Sequence, residues 1–290
     1  MSRTLYEQDI KEVLYGATLL GSGGGGPLQI ALEMLAGLKE KTEHVELKLI
    51  DLDELSQNDY ACTVVCVGSP LAMKENGLGP GAMIAFDGFK EACSSRGDRL
   101  RALYSVEMGG FNTFVPIMVN ILSDADPSRR LPFLDVDGNG RAVPEACTTL
   151  GCGRGFNPDL MSFGSDAGDK LIAYPSSQAA VESIARYLCM AFDMRLALGS
   201  SGMNKDQLAD WTVPAGITTA QNIGRVLLNC RETPEDVVEK LQQVMEVRQA
   251  CRGKITEIKI VAKGGFDKGM TTVAGDDGKT YGIEFENENL

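Results

Sequence analysis

Three acidic side chains stand just past apolar runs that read as strands. Glu107 follows Leu103–Val106 in Glu107-Met108-Gly109-Gly110-Phe111-Asn112, and Asp135 and Asp137 follow Leu131–Leu134 in Asp135-Val136-Asp137-Gly138-Asn139-Gly140-Arg141. A third run, Ala61–Val67, leads into Gly68-Ser69-Pro70. In an open α/β sheet, ligands sit where strands hand over to loops at their carboxyl ends. Polar residues at several such ends point to one site assembled from distant segments, with the carboxylates suited to proton transfer or to holding a metal. Alternation along a continuing strand sends Asp135 and Asp137 to one side.

Each motif also has a structural reading. Asp135-x-Asp137-x-Asn139-Gly140 is a set of turn-forming residues, and it resembles the start of a calcium loop. The calcium pattern fails because Ala146 stands where the closing glutamate belongs and Glu145 falls one residue early. Arg141 can pair with a substrate carboxylate or with Glu145. Glu107 can pair with a neighbouring cation, and Asn112 can cap the next helix. Gly23–Gly26, ahead of a helix that opens at Pro27, can cradle an anion or substrate, or can be a tight helix–helix turn. It lacks the lysine of a phosphate-binding loop and follows a helix rather than a strand. Ser69 is a potential nucleophile or substrate contact with no evident base. The single histidine, His44, opens a strand far from the other motifs, which argues against a Ser-His-Asp triad, and one histidine excludes a three-histidine zinc site. Any divalent metal, zinc included, depends on Asp, Glu, Cys or carbonyl ligands, with His44 at most one of them.

The elements that must position these residues follow from periodicity. Thr4-x-x-Glu7 predicts a capped first helix ending at Gly21. Further helices are expected from Pro27 to about Lys39, near Asp87–Cys93, over Asn112–Leu122, Ser177–Phe192 and Ile217–Leu228, and from the Thr233-Pro234 start to about Arg248. Strands are expected at Val45–Leu49, the three runs above, Lys170–Tyr174, and, among the last forty residues, Ile255–Val261, Met270–Val273 and Tyr281–Phe285. The texture changes near Gly164, which divides the chain into an α/β domain over 1–165 and a helical, then β-rich, domain over 166–290.

Composition narrows the class. The 290 residues carry a net charge of −12, against a nucleic-acid binder. No apolar run approaches the roughly 20 residues of a membrane-spanning helix, and the first residues lack the apolar stretch of a signal peptide. Of eight cysteines, Cys62 and Cys66 lie on one strand face about 13 Å apart, too far to bridge. Cysteines inside apolar runs read as reduced core residues of a cytoplasmic protein, with Cys147 and Cys152 in a loop less clearly so.

Taken together, Leu19–Gly26, Gly68-Ser69-Pro70, Glu107–Asn112, Asp135–Glu145, Gly264-Gly265-Phe266-x-x-Gly269 and Phe285–Leu290 resemble the S-methyl thiohydantoin desulfurase family, over nearly the whole chain. The resemblance implies a layered α/β/α N-terminal domain joined to an α+β domain with a β-barrel-like portion, which is cut short here because family members continue past Leu290. It implies hydrolysis of an S-methyl thiohydantoin to a hydantoin and methanethiol. On that reading Glu107, Asp135 and Asp137 act as general base or metal ligands, while Arg141, Asn112, Ser69 and Gly23–Gly26 bind substrate. It also implies association with a hydantoinase- or oxoprolinase-type protein. A non-catalytic partner subunit and a small-molecule sensor are the competing functions, and self-association is a further expectation.

Overall fold

A computed structural model describes residues 2–68, 79–145, 148–192, 195–232, 236–263 and 266–286. Two compact units divide the chain, residues 1–225 and 226–290. The first is built on a nine-stranded mixed sheet. Four of its strands are parallel neighbours in the order β2 (Glu46–Ile50), β5 (Phe133–Asp137), β4 (Arg99–Ser105) and β3 (Asp59–Gly68). On one flank β1 (Arg3–Tyr6) pairs antiparallel with β2. On the other, β8 (Arg195–Asn204) pairs antiparallel with β3 and is followed by β6 (Met161–Gly164) and β7 (Lys170–Ala173). A two-residue strand, β9 (Val213–Pro214), lies against the end of β5.

Alternation along the central strands splits the core between the two faces of the sheet. Cys62, Val64 and Cys66 of β3, Leu103 of β4 and Phe133 of β5 bury one face. That face packs against α1 (Glu7–Leu20), α2 (Leu28–Gly37), α3 (Gly81–Arg96), α4 (Phe114–Leu122) and the start of α8 (Gly216–Glu232). Ala61, Ala102, Tyr104, Leu134 and Val136 bury the other face with Leu208 of α7 (Lys205–Trp211). A third cluster joins Val65 and Val67 to α6 (Gln178–Ala191). Helices therefore cover both faces, and the layered α/β/α arrangement expected from the sequence is present. The short α5 (Leu150–Gly153) completes the helices of this unit among the described residues.

Several element boundaries differ from the sequence expectation. Thr4 does not cap a helix; it lies in β1, paired with Lys48 of β2, and the helix starts at Glu7 with the Tyr6 amide donating to Asp9 Oδ2 at 2.9 Å. A strand partner supplied by tertiary pairing overrides the local capping pattern. The large sheet also runs on past Gly164: β7, β8 and β9 are strands of the first unit, and β8, absent from the sequence reading, is the direct neighbour of β3. Ser177, where the expected helix begins, caps α6, accepting from the Ala180 amide at 3.2 Å.

In the second unit, Thr233 and Pro234 lie outside the described residues, and Asp236 caps α9 (Val237–Leu241), which ends well before Arg248. The β-rich end is an antiparallel meander of β10 (Gly253–Lys263), β11 (Phe266–Gly275) and β12 (Thr280–Glu286), with no closed barrel among the described residues. The Gly275–Gly278 turn joins β11 to β12 as expected, with Gly278 in the left-handed region at φ 80°.

Candidate functional site

Glu107 lies two residues beyond β4, in register with Leu103 and Ser105, and is 7% exposed. Its Oε1 accepts from Asn112 Nδ2 at 2.7 Å and its Oε2 from the Val143 amide at 2.8 Å. Both bonds are of the charge-assisted kind that fixes a carboxylate firmly. Asn112 also accepts from the Cys66 amide at 3.2 Å, beyond the last β3–β4 pair at Cys62 and Leu103. One amide side chain therefore links the end of β3 to the acid after β4. Asn112 is not a helix cap: Thr113 holds the cap position of α4, which frees the Asn112 side chain for this bridge.

Asp135 and Asp137 both lie within β5, on the face they share with Phe133. Asp135 is occupied. Its Oδ1 accepts from the Thr218 amide at 2.9 Å, its Oδ2 accepts from Thr218 Oγ1, and its carbonyl accepts from the Ala215 amide at 2.8 Å. It thus holds the first turn of α8 onto the sheet. Asp137 is fully buried. Its Oδ1 accepts from the amides of Asn139, at 2.9 Å, and Gly140, closing the turn that Asp-Gly-Asn-Gly predicts. Its Oδ2 is buried without a hydrogen-bond partner. The neighbouring Ser105 hydroxyl has one proton and gives it to the Glu107 carbonyl at 2.7 Å.

Burial, reinforced by the Glu107 charge, pushes the Asp137 carboxyl up from 3.8 to about 7, against the opposing pull of the two amides and of the neighbouring Ser105 hydroxyl. A carboxyl poised at that value exchanges protons near neutral pH. Glu107 and Asp137, thirty positions apart in sequence, thus form an interacting acid pair at adjacent strand ends. Gly216 at the start of α8 closes over it, since a Cβ there would stand 2.6 Å from Asp137 Cβ.

The glycine-rich loop between α1 and α2 lies against the same segment. The Gly25 carbonyl accepts from the amides of Phe111, at 3.1 Å, and Asn112, at 2.8 Å. The backbones touch: a Cβ on Gly109 would fall 2.4 Å from Gly25 Cα, and Gly25 itself has φ +68°. Close packing, one of the two readings of this loop, is therefore part of its role. Gly24 donates to Gly21 at 2.8 Å, Gly26 packs on Phe111, and Gly23 is exposed. Arg141 is exposed; its Nε donates to the Ala142 carbonyl at 3.0 Å and its own carbonyl accepts from the Met108 amide at 3.2 Å. The 141–143 segment thereby wraps the Glu107 turn.

Ser69 lies outside the described residues. His44 is exposed just before β2, at the amino end of the parallel strands and away from the carboxylates, where its carbonyl accepts from Arg130 Nη1 at 3.0 Å. Among the described residues no three His, Cys, Asp or Glu side chains gather into a metal-holding group. Cys62, Cys66 and Cys189 are buried thiols whose pKa burial raises, as core packing requires; Cys147 lies outside the described residues.

The sequence reading did not reach the Val143 amide, the Ser105 hydroxyl or Thr218. A backbone donor carries no residue-type signal, and Thr218 reaches Asp135 across 83 positions.

Comparison with solved structures finds the same fold in the X-ray structure of a protein from Chromobacterium violaceum, with a TM-score of 0.78 over 99% of this chain and 76% of that one, at 21% identity. No curated protein matches. No helix among the described residues is long and apolar enough to cross a membrane. Two family models do match, described as the N-terminal domain, over residues 8–175, and the C-terminal domain, over residues 176–290, of S-Me-THD-like proteins. With both domains present in order and nearly every residue covered, the chain belongs to the S-methyl thiohydantoin desulfurase-like family.

Proposed function

We propose that the protein is a hydrolase of a hydantoin-like ring, converting an S-methyl thiohydantoin to the hydantoin with release of methanethiol. The observation that carries this reading is the Glu107–Asp137 pair, with Asp137 raised to about 7. The carbon bearing the methylthio group is an amidine-like electrophile. Water adds to it, the carbon–sulfur bond breaks, sulfur departs as a thiol with one proton, and the oxygen stays as the ring carbonyl. One water is consumed and one methanethiol released. This chemistry needs a base for the attacking water and an acid for the leaving sulfur. Glu107, held by Asn112 and Val143, is the base; Asp137 behind it is the partner that carries a proton near neutrality. Asp135 positions α8 over the pair, and Arg141 with Gly23–Gly26 orients the substrate.

The test is turnover of S-methyl thiohydantoins by the purified protein, followed by mass spectrometry of the hydantoin and thiol trapping of methanethiol. Glu107→Gln is expected to lower kcat/KM roughly a hundredfold or more. Wild-type rates from both Glu107→Gln and Asp137→Asn would sink the assignment. Absence of turnover together with co-purification of a hydantoinase- or oxoprolinase-type protein would make the chain a partner subunit instead.

A further inference from the structure

Ser105 and Asp137 are register partners across the β4–β5 pair, and neither has any exposed surface. Both side chains lie on the face that Leu103 and Phe133 share. The Gly138 amide donates to the Ser105 carbonyl at 2.9 Å, which fixes the two backbones side by side. Neighbouring strands stand about 4.8 Å apart, so the Ser105 hydroxyl is the polar group beside the Asp137 carboxyl on this face.

Donors and acceptors are out of balance at this contact. The Ser105 hydroxyl gives its one proton to the Glu107 carbonyl at 2.7 Å, and its oxygen keeps lone pairs that can accept. Asp137 Oδ1 is taken by the amides of Asn139 and Gly140, whereas Oδ2 is buried with no donor. An ionised oxygen left so is costly, while a protonated one is itself a donor that needs an acceptor. The Glu107 carbonyl, for its part, has a second donor: Thr113 Oγ1, at the cap position of α4, lies 3.2 Å from it. The Ser105 hydroxyl can therefore leave that carbonyl without stranding it. Glu107 is the charged group that acts on Asp137 from beyond β4. Asp135 on the same strand is bound by Thr218, and Gly216 of α8 and Val213 of β9, which pack against Asp137, bring no charge.

We propose that Ser105 is a positioning residue whose hydroxyl takes two orientations set by Asp137. With Asp137 protonated, its Oδ2–H donates to Ser105 Oγ, and the Ser105 proton rests on the Glu107 carbonyl. With Asp137 ionised, the hydroxyl turns about its C–O bond, donates to Oδ2 and leaves the carbonyl to Thr113. The one bond that breaks is the O–H of Asp137, and its proton goes to water. The proton state of the buried acid is thereby passed to the backbone of Glu107, the other member of the pair. The device concerns where a proton rests, and it stands whether or not the pair hydrolyses a thiohydantoin.

The test is a carboxyl-carbon NMR titration of the full-length protein, with the Asp137 signal identified by its loss in Asp137→Asn. The wild-type midpoint is expected at about 7. Ser105→Ala removes a donor from the anion and an acceptor from the acid, and the bond to the charged form is the stronger. Its midpoint is expected to rise by about one pH unit. Ser105→Thr, which keeps the hydroxyl, should titrate with the wild type. Ser105→Cys, whose thiol is a weak donor, gives the same upward shift to read where the alanine variant does not fold. The proposal is overturned by a wild-type Asp137 that titrates at its ordinary 3.8, by an unmoved or lowered midpoint in the alanine or cysteine variant, or by a threonine variant that shifts as far as they do. Failure of the hydrolase reading is a separate result: absent turnover with the NMR shift intact.

Discussion

At the scale of single residues, the decisive group is Asp137. An isolated aspartate of this kind titrates near 3.8, whereas burial carries this one to about 7. The folded state therefore binds the proton more tightly than the unfolded chain. Its contribution favours folding below about 4 and is lost progressively as pH rises through about 7. Asp137→Asn, which cannot ionise, is expected to gain on the wild type over that window by a few kcal/mol at most, at about 1.4 kcal/mol per pK unit. Denaturant unfolding at acidic, neutral and mildly alkaline pH measures it; a difference that is constant with pH would show that Asp137 is already an ordinary carboxylate. The same group predicts that kcat/KM declines above pH about 7 as the carboxyl loses its proton. Asn112 supplies a separate test. It alone spans the Cys66 amide and Glu107 Oε1, so Asn112→Leu strands both. It should cost about 1–3 kcal/mol of stability, with a larger relative loss of kcat than of substrate affinity.

At the scale of elements, the site depends on how β5, β9 and α8 meet. β9 pairs Val213 with Asp137 and Pro214 with Val136, and this delivers the first turn of α8 directly over the acid pair. Asp135 fastens that turn through both oxygens. Asp135→Ala is expected to cost about 1–2 kcal/mol, as loss of a helix-terminal acceptor does, and a thermal melt gives the value. Thr218→Val, which removes only the hydroxyl bond, should cost less. The Gly25–Gly109 contact works in the same way on the other side of the pair. A methyl group at Gly109 has no room against Gly25 Cα, so Gly109→Ala must displace the glycine-rich loop. Its expected cost is on the order of 1–3 kcal/mol, with activity falling further than stability because Asn112 hangs from that loop through Gly25.

At the scale of the whole molecule, the two units differ in how they use apolar surface. The first buries Leu, Val, Ile and Phe on both faces of its sheet. The second presents Ile258 and Ile260 of β10 at 57% and 58% exposure. Exposed apolar strands of this kind promote association. Ile258→Lys with Ile260→Lys is expected to lower light scattering in concentrated solution while changing stability by no more than about 0.5 kcal/mol per site. Scattering unchanged by both lysines would remove β10 as the source. The division between units also differs by criterion: the family models change at residue 176, while compactness divides the chain after Arg225.

Local pattern was sufficient for the carboxyl ends of β3, β4 and β5, the acids beside them, the turn at Asp137–Gly140 and most helices, because each depends on neighbours within a few positions. It was also sufficient for the family, since several weak motifs recur in order along the chain. Thr4 shows where it fails: its capping pattern is sound, but β2 offers strand pairing that a local window cannot register. β8 was missed for the same reason, since its place beside β3 is set by distant pairs such as Val64 with Gly199, 135 positions apart. The chemistry of the site belongs to this second kind. Sequence placed Asp135 and Asp137 on one face as equals, and only packing distinguished them, giving Asp135 both bonds of Thr218 and leaving Asp137 an unpaired oxygen beside Glu107. Side-chain type records which groups are available; burial and long-range hydrogen bonding decide which of them holds a proton.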